Sequence, residues 1–380
     1  MKQFLWLFSI ILCLSCNRGS DTLEHNTKDN VFLKKTETIQ VKIDSSISPF
    51  IWNNQYLWDE DILVFNNHNL NDNSLILLDL KSEKTSKISF EKEGVNELKN
   101  AIFNFYYHNS DNIFFLPMYA HKILVFDSLQ NVKNKIEFKT GIENIGQTIV
   151  YMGQQNALFK NNKMVFTTFP TNANQMAKSI NDPIFYELNF DDSIAKGLPY
   201  TYELNFDKNY PLQHPFYIDP RSVFDLDGNI IFTFPKSKKL FRADTKQITK
   251  SVDINSDYID EYHPLKSMKD FGTHEITGNA NIKLDYDKIN KQIYLIAEMG
   301  ISKQNGETGR LNEKDDKPFV VFVYDNDMNK ILEQKFVGSK YKISASFVGQ
   351  KGLYLSLNNK KNDSFDEDNL RFEIFKLTKK

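Results

Sequence analysis

The chain has 380 residues, 41% of them hydrophobic and 25% charged, with a formal net charge of −2. That is a globular composition with enough apolar mass for a large core. It contains no basic block of five or more residues, which speaks against a nucleic-acid partner.

The first element is not part of the fold. "MKQFLWLFSIILCLSC" places a lysine at position 2, an eleven-residue apolar run from Phe4 to Leu14, and then Ser15-Cys16. The run is shorter than the roughly 20 residues needed to span a bilayer, and it matches the hydrophobic region of an export signal. A small residue followed by cysteine resembles the lipobox of bacterial lipoproteins. That resemblance implies cleavage before Cys16 and lipidation of its thiol and amine. The family pattern prefers Leu three residues before the cut, where this chain has Cys13, with Leu14 next to it. The only cysteines of the chain are Cys13 and Cys16. After cleavage Cys16 has no intramolecular disulfide partner, so it reads as an anchor. Two or three acyl chains at one site suffice for stable membrane attachment. Residues 1–15 are thus expected to be the signal peptide. Residues 16–30, "CNRGSDTLEHNTKDN", are expected to form a lipidated cysteine and polar tether, and residues 31–380 the folded domain.

From "TETIQVKID" (36–44) onward the sequence repeats one phrase: five to seven apolar-rich residues, then a polar turn rich in Asn, Asp, Gly and Ser. This is the pattern of an antiparallel meander. Four such strands fall within 50–92 ("FIWNNQYLW", "DILVFNN", "SLILLDL", "SKISFEK") and four within 102–138. A third unit runs from "IVYMGQQNALF" to "AKGLPYTYEL", a fourth from "RSVFDL" to "ITKSVDI" and a fifth from "ANIKLDYD" to "ILEQKFV". The sixth has only "ISASFVG", "LYLSLN" and "RFEIFKL". The unassigned strand at 36–44 supplies its missing fourth. The predicted fold is therefore all-β, a six-bladed β-propeller of four-stranded antiparallel blades whose last blade is closed by an N-terminal strand.

Three stretches carry a family likeness: "ISFEKEGVNEL" (88–98), "SDNIFFLP" with "KILVFDS" in the second unit, and "LDYDKINKQIYLIAE" (284–298). They resemble the TolB-like six-bladed propellers, and more closely a group of bacterial propeller lipoproteins classed as a domain of unknown function. Val95 and Glu97 stand where that group usually has Pro and Gly. The resemblance implies a propeller fold and an exported, lipid-anchored life, and it assigns no catalytic residue.

Connection lengths divide the two faces of the disc. With the strands of each blade lettered A to D outward from the axis, the A–B and C–D turns are short. The long segments 170–182, 299–317 and 358–369 are B–C connections, and 205–220 and 255–278 are D–A crossings. Both kinds leave from the same edge, so one face is loop-rich and the other trimmed. Long loops in a compact domain usually have a function, although insertions also accumulate on whichever side is free. Candidate residues on the loop-rich face are His214, Arg221, His263, His274 and Glu275.

Motifs with a chemical mechanism are scarce. No HxH, HxxxH or HExxH spacing occurs, so no metal is expected. "DLDGN" (225–229) and "DNDMN" (325–329) lack the terminal Glu of a calcium loop and read as hairpin turns. There is no GxSxG, GxxxxGK[ST] or GxGxxG, and no cofactor is implied. Trp52, Trp58, Tyr106 and Tyr107 could form a sugar platform, but within blades such aromatics are expected in the core. The sequence therefore predicts a lipid-anchored envelope protein, sorted to the outer membrane, that binds a protein or glycan partner through its loop-rich face. The alternative is a hydrolase or lyase with a site at the axial channel mouth.

Overall fold

The computed structural model describes residues 31–67, 72–91, 98, 104–116, 122–140, 148–149, 157–167, 169–170, 180–205 and 218–379. Residues 1–30, with Cys16, lie outside the described residues, as does His214. The strand order is that of a six-bladed β-propeller.

Strand β1 (Val31–Lys42) opens the fold. The first blade then holds β2 (Asn54–Leu57), β3 (Ile62–Asn66), β4 (Ser74–Asp79) and β5 (Lys84–Ser89). The second holds β6 (Phe105–Asn109), β7 (Asn112–Phe115), β8 (Lys122–Phe126) and β9 (Val132–Glu137). A short β10 (Lys139–Thr140) precedes the third blade, and β11 (Thr148–Ile149) pairs separately with β14 (Phe169–Pro170). The third blade is β12 (Ala157–Lys160), β13 (Lys163–Thr167), β15 (Phe185–Asn189) and β16 (Ile194–Gly197), with β10 added in parallel at its edge. The fourth is β17 (Arg221–Phe224), β18 (Ile230–Thr233), β19 (Lys239–Ala243) and β20 (Ile248–Asp253). The fifth is β21 (Ala280–Asp287), β22 (Gln292–Glu298), β23 (Phe319–Tyr324) and β24 (Lys330–Phe336). The sixth contributes β25 (Lys342–Gly349), β26 (Gly352–Ser356) and β27 (Asn369–Lys379).

The fourth strand of the sixth blade is β1, antiparallel to β27 from Val31 opposite Lys379 to Lys42 opposite Asn369. It begins five residues before the expected segment. A bulge at Thr36 absorbs one extra residue, and the Thr36 hydroxyl donates to the Ile374 carbonyl. In the third blade the described part of the first strand is β12, while Ile149, which opens the expected strand, pairs with Phe169 outside the blade.

Burial follows position in the blade. The middle strands β18 and β23 are buried along their whole length, since neighbouring blades cover both faces. The outer strands β5, β9 and β20 are polar and mostly exposed, which guards their open edges. β24 is the exception, with a buried Leu332-Glu333-Gln334. There the Gln334 side chain accepts from the Leu33 amide at 2.7 Å and donates to the Leu33 carbonyl at 3.2 Å. A side chain of the fifth blade thus grips the backbone of the closing strand. Among the described residues no helix is long and apolar enough to cross a membrane.

Candidate functional site

The inner strands β17, β21 and β25 stand side by side around the axis, with β2 next to β25. Among the described residues, the segment 255–278 and the B–C segments of blades five and six meet at one end of these strands. The crossing from blade four to blade five folds into the helix α1 (Phe271–Thr277), and the B–C segment of blade five packs against it. The fit is close: Ile301 donates to the Ile276 carbonyl at 3.1 Å. A Cβ on Gly300 would sit 1.9 Å from the Thr277 carbonyl oxygen, so only glycine allows this approach.

A charge cluster is built at this junction. Lys317 is buried, and its Nζ donates to the carbonyls of Glu275 and Gly278, both at 2.9 Å, and lies 3.3 Å from Glu298 Oε2. It thereby satisfies orphan carbonyls at the helix C-terminus, where a cation is also favoured by the dipole. Lys314 pairs with Glu275 at 3.1 Å. Burial works against the charge of Glu298, but Lys317 and Lys314 hold its pKa below the usual carboxylate value. Lys236, in the B–C turn of blade four, is also buried and donates to the Asn279 carbonyl at 2.5 Å. Burial, reinforced by the charge of Lys317, pulls its amine down to about 7. Asp219 is pushed up to about 6 by burial, although the Arg221 guanidinium beside it opposes the shift.

The expected site residues fall around this cluster unevenly. His274 and Glu275 are both on α1, and His274 Nε2 lies 3.0 Å from the His263 carbonyl oxygen. Burial and then Lys236 lower the pKa of His274. The His263 ring points elsewhere, 3.5 Å from Glu261 in an exposed pair. Arg221 opens β17 and is bound to Asp219, close enough to Lys314 to act on its charge. Sequence reasoning passed over Lys236, Glu298, Lys314 and Lys317. Glu298 ends the apolar run "IYLIAE", the one hint that a charge was being carried into the interior. Among the described residues, no three His, Cys, Asp or Glu side chains come together as a metal ion would need.

Of the aromatics considered as platforms, Trp58 and Tyr107 are core. Trp52 is not: it is 61% exposed, in the crossing that leads from β1 to the first blade.

The model of a domain of unknown function, DUF4221, matches residues 29–335. This chain belongs to the DUF4221 family. A DUF4221 member from Bacteroides vulgatus has the same fold at 21% identity and a TM-score of 0.80, covering 93% of this chain and 100% of that one. A protein from Bacteroides fragilis, described as a candidate exported protein, aligns at 11% identity and a TM-score of 0.57, over 94% of this chain and 98% of that one. No curated protein matches the chain. At these identities the likenesses establish the propeller and nothing about its chemistry.

Proposed function

We propose that this DUF4221 propeller is a lipid-anchored protein of the cell envelope, attached through Cys16, that binds a macromolecular partner on its loop-rich face. The observation that supports this most is the one-sided build of the disc. The described long connections of blades four to six leave from one face, and there a helix, a capping lysine and buried charges organise them. Such a surface is costly to hold in place, and a rigid scaffold carrying structured loops is the usual arrangement for recognition. Trp52 and Leu311, exposed on that face, are the kind of side chain that anchors an interface.

A photo-crosslinking amino acid at Trp52 or Leu311, compared with one at Leu226 or Ile289 on the trimmed face, tests the reading in intact cells. Discrete crosslinked products from the first pair alone are expected. Equal products from both faces, or products from the trimmed face only, would refute it. A second reading, a hydrolase or lyase at the channel mouth, draws on Lys236, whose amine near 7 is suited to proton transfer.

A further inference from the structure

The closing strand fixes which way the disc faces. Strand β27 leaves the loop-rich face at Asn369 and ends at Lys379 on the trimmed face. Because β1 runs antiparallel to it with Val31 opposite Lys379, the chain enters the domain from the trimmed face. It reaches the loop-rich face only at Lys42, eleven residues later. At about 3.3 Å per residue, that separation is roughly 35 Å.

We infer that in the anchored protein the trimmed face is turned toward the lipid surface and the loop-rich face away from it, toward partners in the aqueous compartment. This rests on the lipidation of Cys16 proposed above. Fourteen residues separate Cys16 from β1. A flexible polar stretch of that length spans about 20 Å root-mean-square, and at full stretch at most about 50 Å. To bring the loop-rich face onto the bilayer, this segment would have to run back about 35 Å along the sixth blade. It would then be drawn well beyond its relaxed span of about 20 Å, at a loss of conformational freedom. With the trimmed face down, no such stretch is needed. The bilayer that holds the anchor is thereby disfavoured as the ligand of the loop-rich face.

The test uses the full lipoprotein in phosphatidylethanolamine–phosphatidylglycerol vesicles that carry a short-range quencher on their headgroups. A fluorophore is attached at Ile289→Cys, in the A–B turn of blade five, or at Leu311→Cys, in the B–C loop of the same blade. Both positions are well exposed, at 60% and 64%. Quenching at position 289 is expected to exceed that at 311 several-fold. Equal quenching, or stronger quenching at 311, overturns the orientation while leaving the anchor intact. Cys16→Ala separates the two ideas. If that variant partitions with membranes as the parent does, the anchor reading fails, and this inference fails with it.

Discussion

Lys236 carries a charge that its surroundings resist. Its Nζ is enclosed by the Asn279 carbonyl, the His274 ring and the bare Cα of Gly278, with Lys317 and Lys314 adding repulsion and Glu298 and Glu275 opposing it. In the unfolded chain a lysine keeps its proton to about 10.4, whereas here it is released near 7. Between those values the unfolded state holds more protons, so this residue's contribution to stability rises with pH, and it is flat below 7. The stability of the parent relative to Lys236→Met should therefore climb from pH 7 to 9 by up to about 1.4 kcal/mol per pH unit, measured by urea unfolding of both proteins. A constant difference would mean that the amine titrates normally. Nothing in "FPKSKK" signals this, because the burial is made by residues about 40 positions downstream. The turn aspartates are the opposite case. Asp127, Asp225 and Asp325 each accept from the backbone amide and side chain of the Asn four residues on, with a left-handed residue just before that Asn. That chemistry is local, so the sequence alone shows it.

Strand β1 is held by two kinds of contact of very different worth. Lys35 reaches Glu373 at 2.6 Å, but the lysine is half in water and the enclosed carboxylate keeps Tyr341 and Lys340 as partners, so the pair contributes little. On its buried side Gln334 makes both hydrogen bonds to Leu33 in a fully enclosed position. Gln334→Leu leaves a buried amide and carbonyl unsatisfied and should cost about 2–4 kcal/mol. Lys35→Ala should cost under about 1 kcal/mol. Chemical denaturation of both variants gives the comparison, and similar losses would contradict the assignment. The strand itself was visible in the sequence as a segment left over from the repeat. Its grip was not, since a glutamine in "ILEQKFV" looks like any edge-strand polar residue until blade five and β1 are seen to share an interface. The same limit applies to Ile149, which opens the expected strand of the third blade but pairs with Phe169 outside it.

At the scale of the ring, closure by β1 makes the two ends of the domain neighbours. Val31 and Lys379 face each other across an antiparallel pair, where Cα atoms are about 5 Å apart. The repeat count and the missing fourth strand made this legible in advance, because a propeller needs a partner for every blade edge. The inward charges that distinguish this ring did not declare themselves, since they depend on which inner strands become neighbours. Lys283 of β21 approaches Asn54 of the first blade at 3.4 Å and Asp285 at 3.8 Å, all enclosed at the axis. A permutant that joins Lys379 to Val31 by a short Gly-Ser linker, and opens the chain between Gly306 and Glu307, keeps every blade contact. It should melt in one transition within a few degrees of the parent. Deletion of residues 31–42 instead exposes the β27 edge, with Phe372 and Ile374 now enclosed, and removes the partner of Gln334. That protein should lose its cooperative transition or melt far lower, as followed by circular dichroism. If the deletion melts like the parent, the ring does not depend on its closing strand, and the route by which the chain enters from the trimmed face no longer constrains how the disc is held.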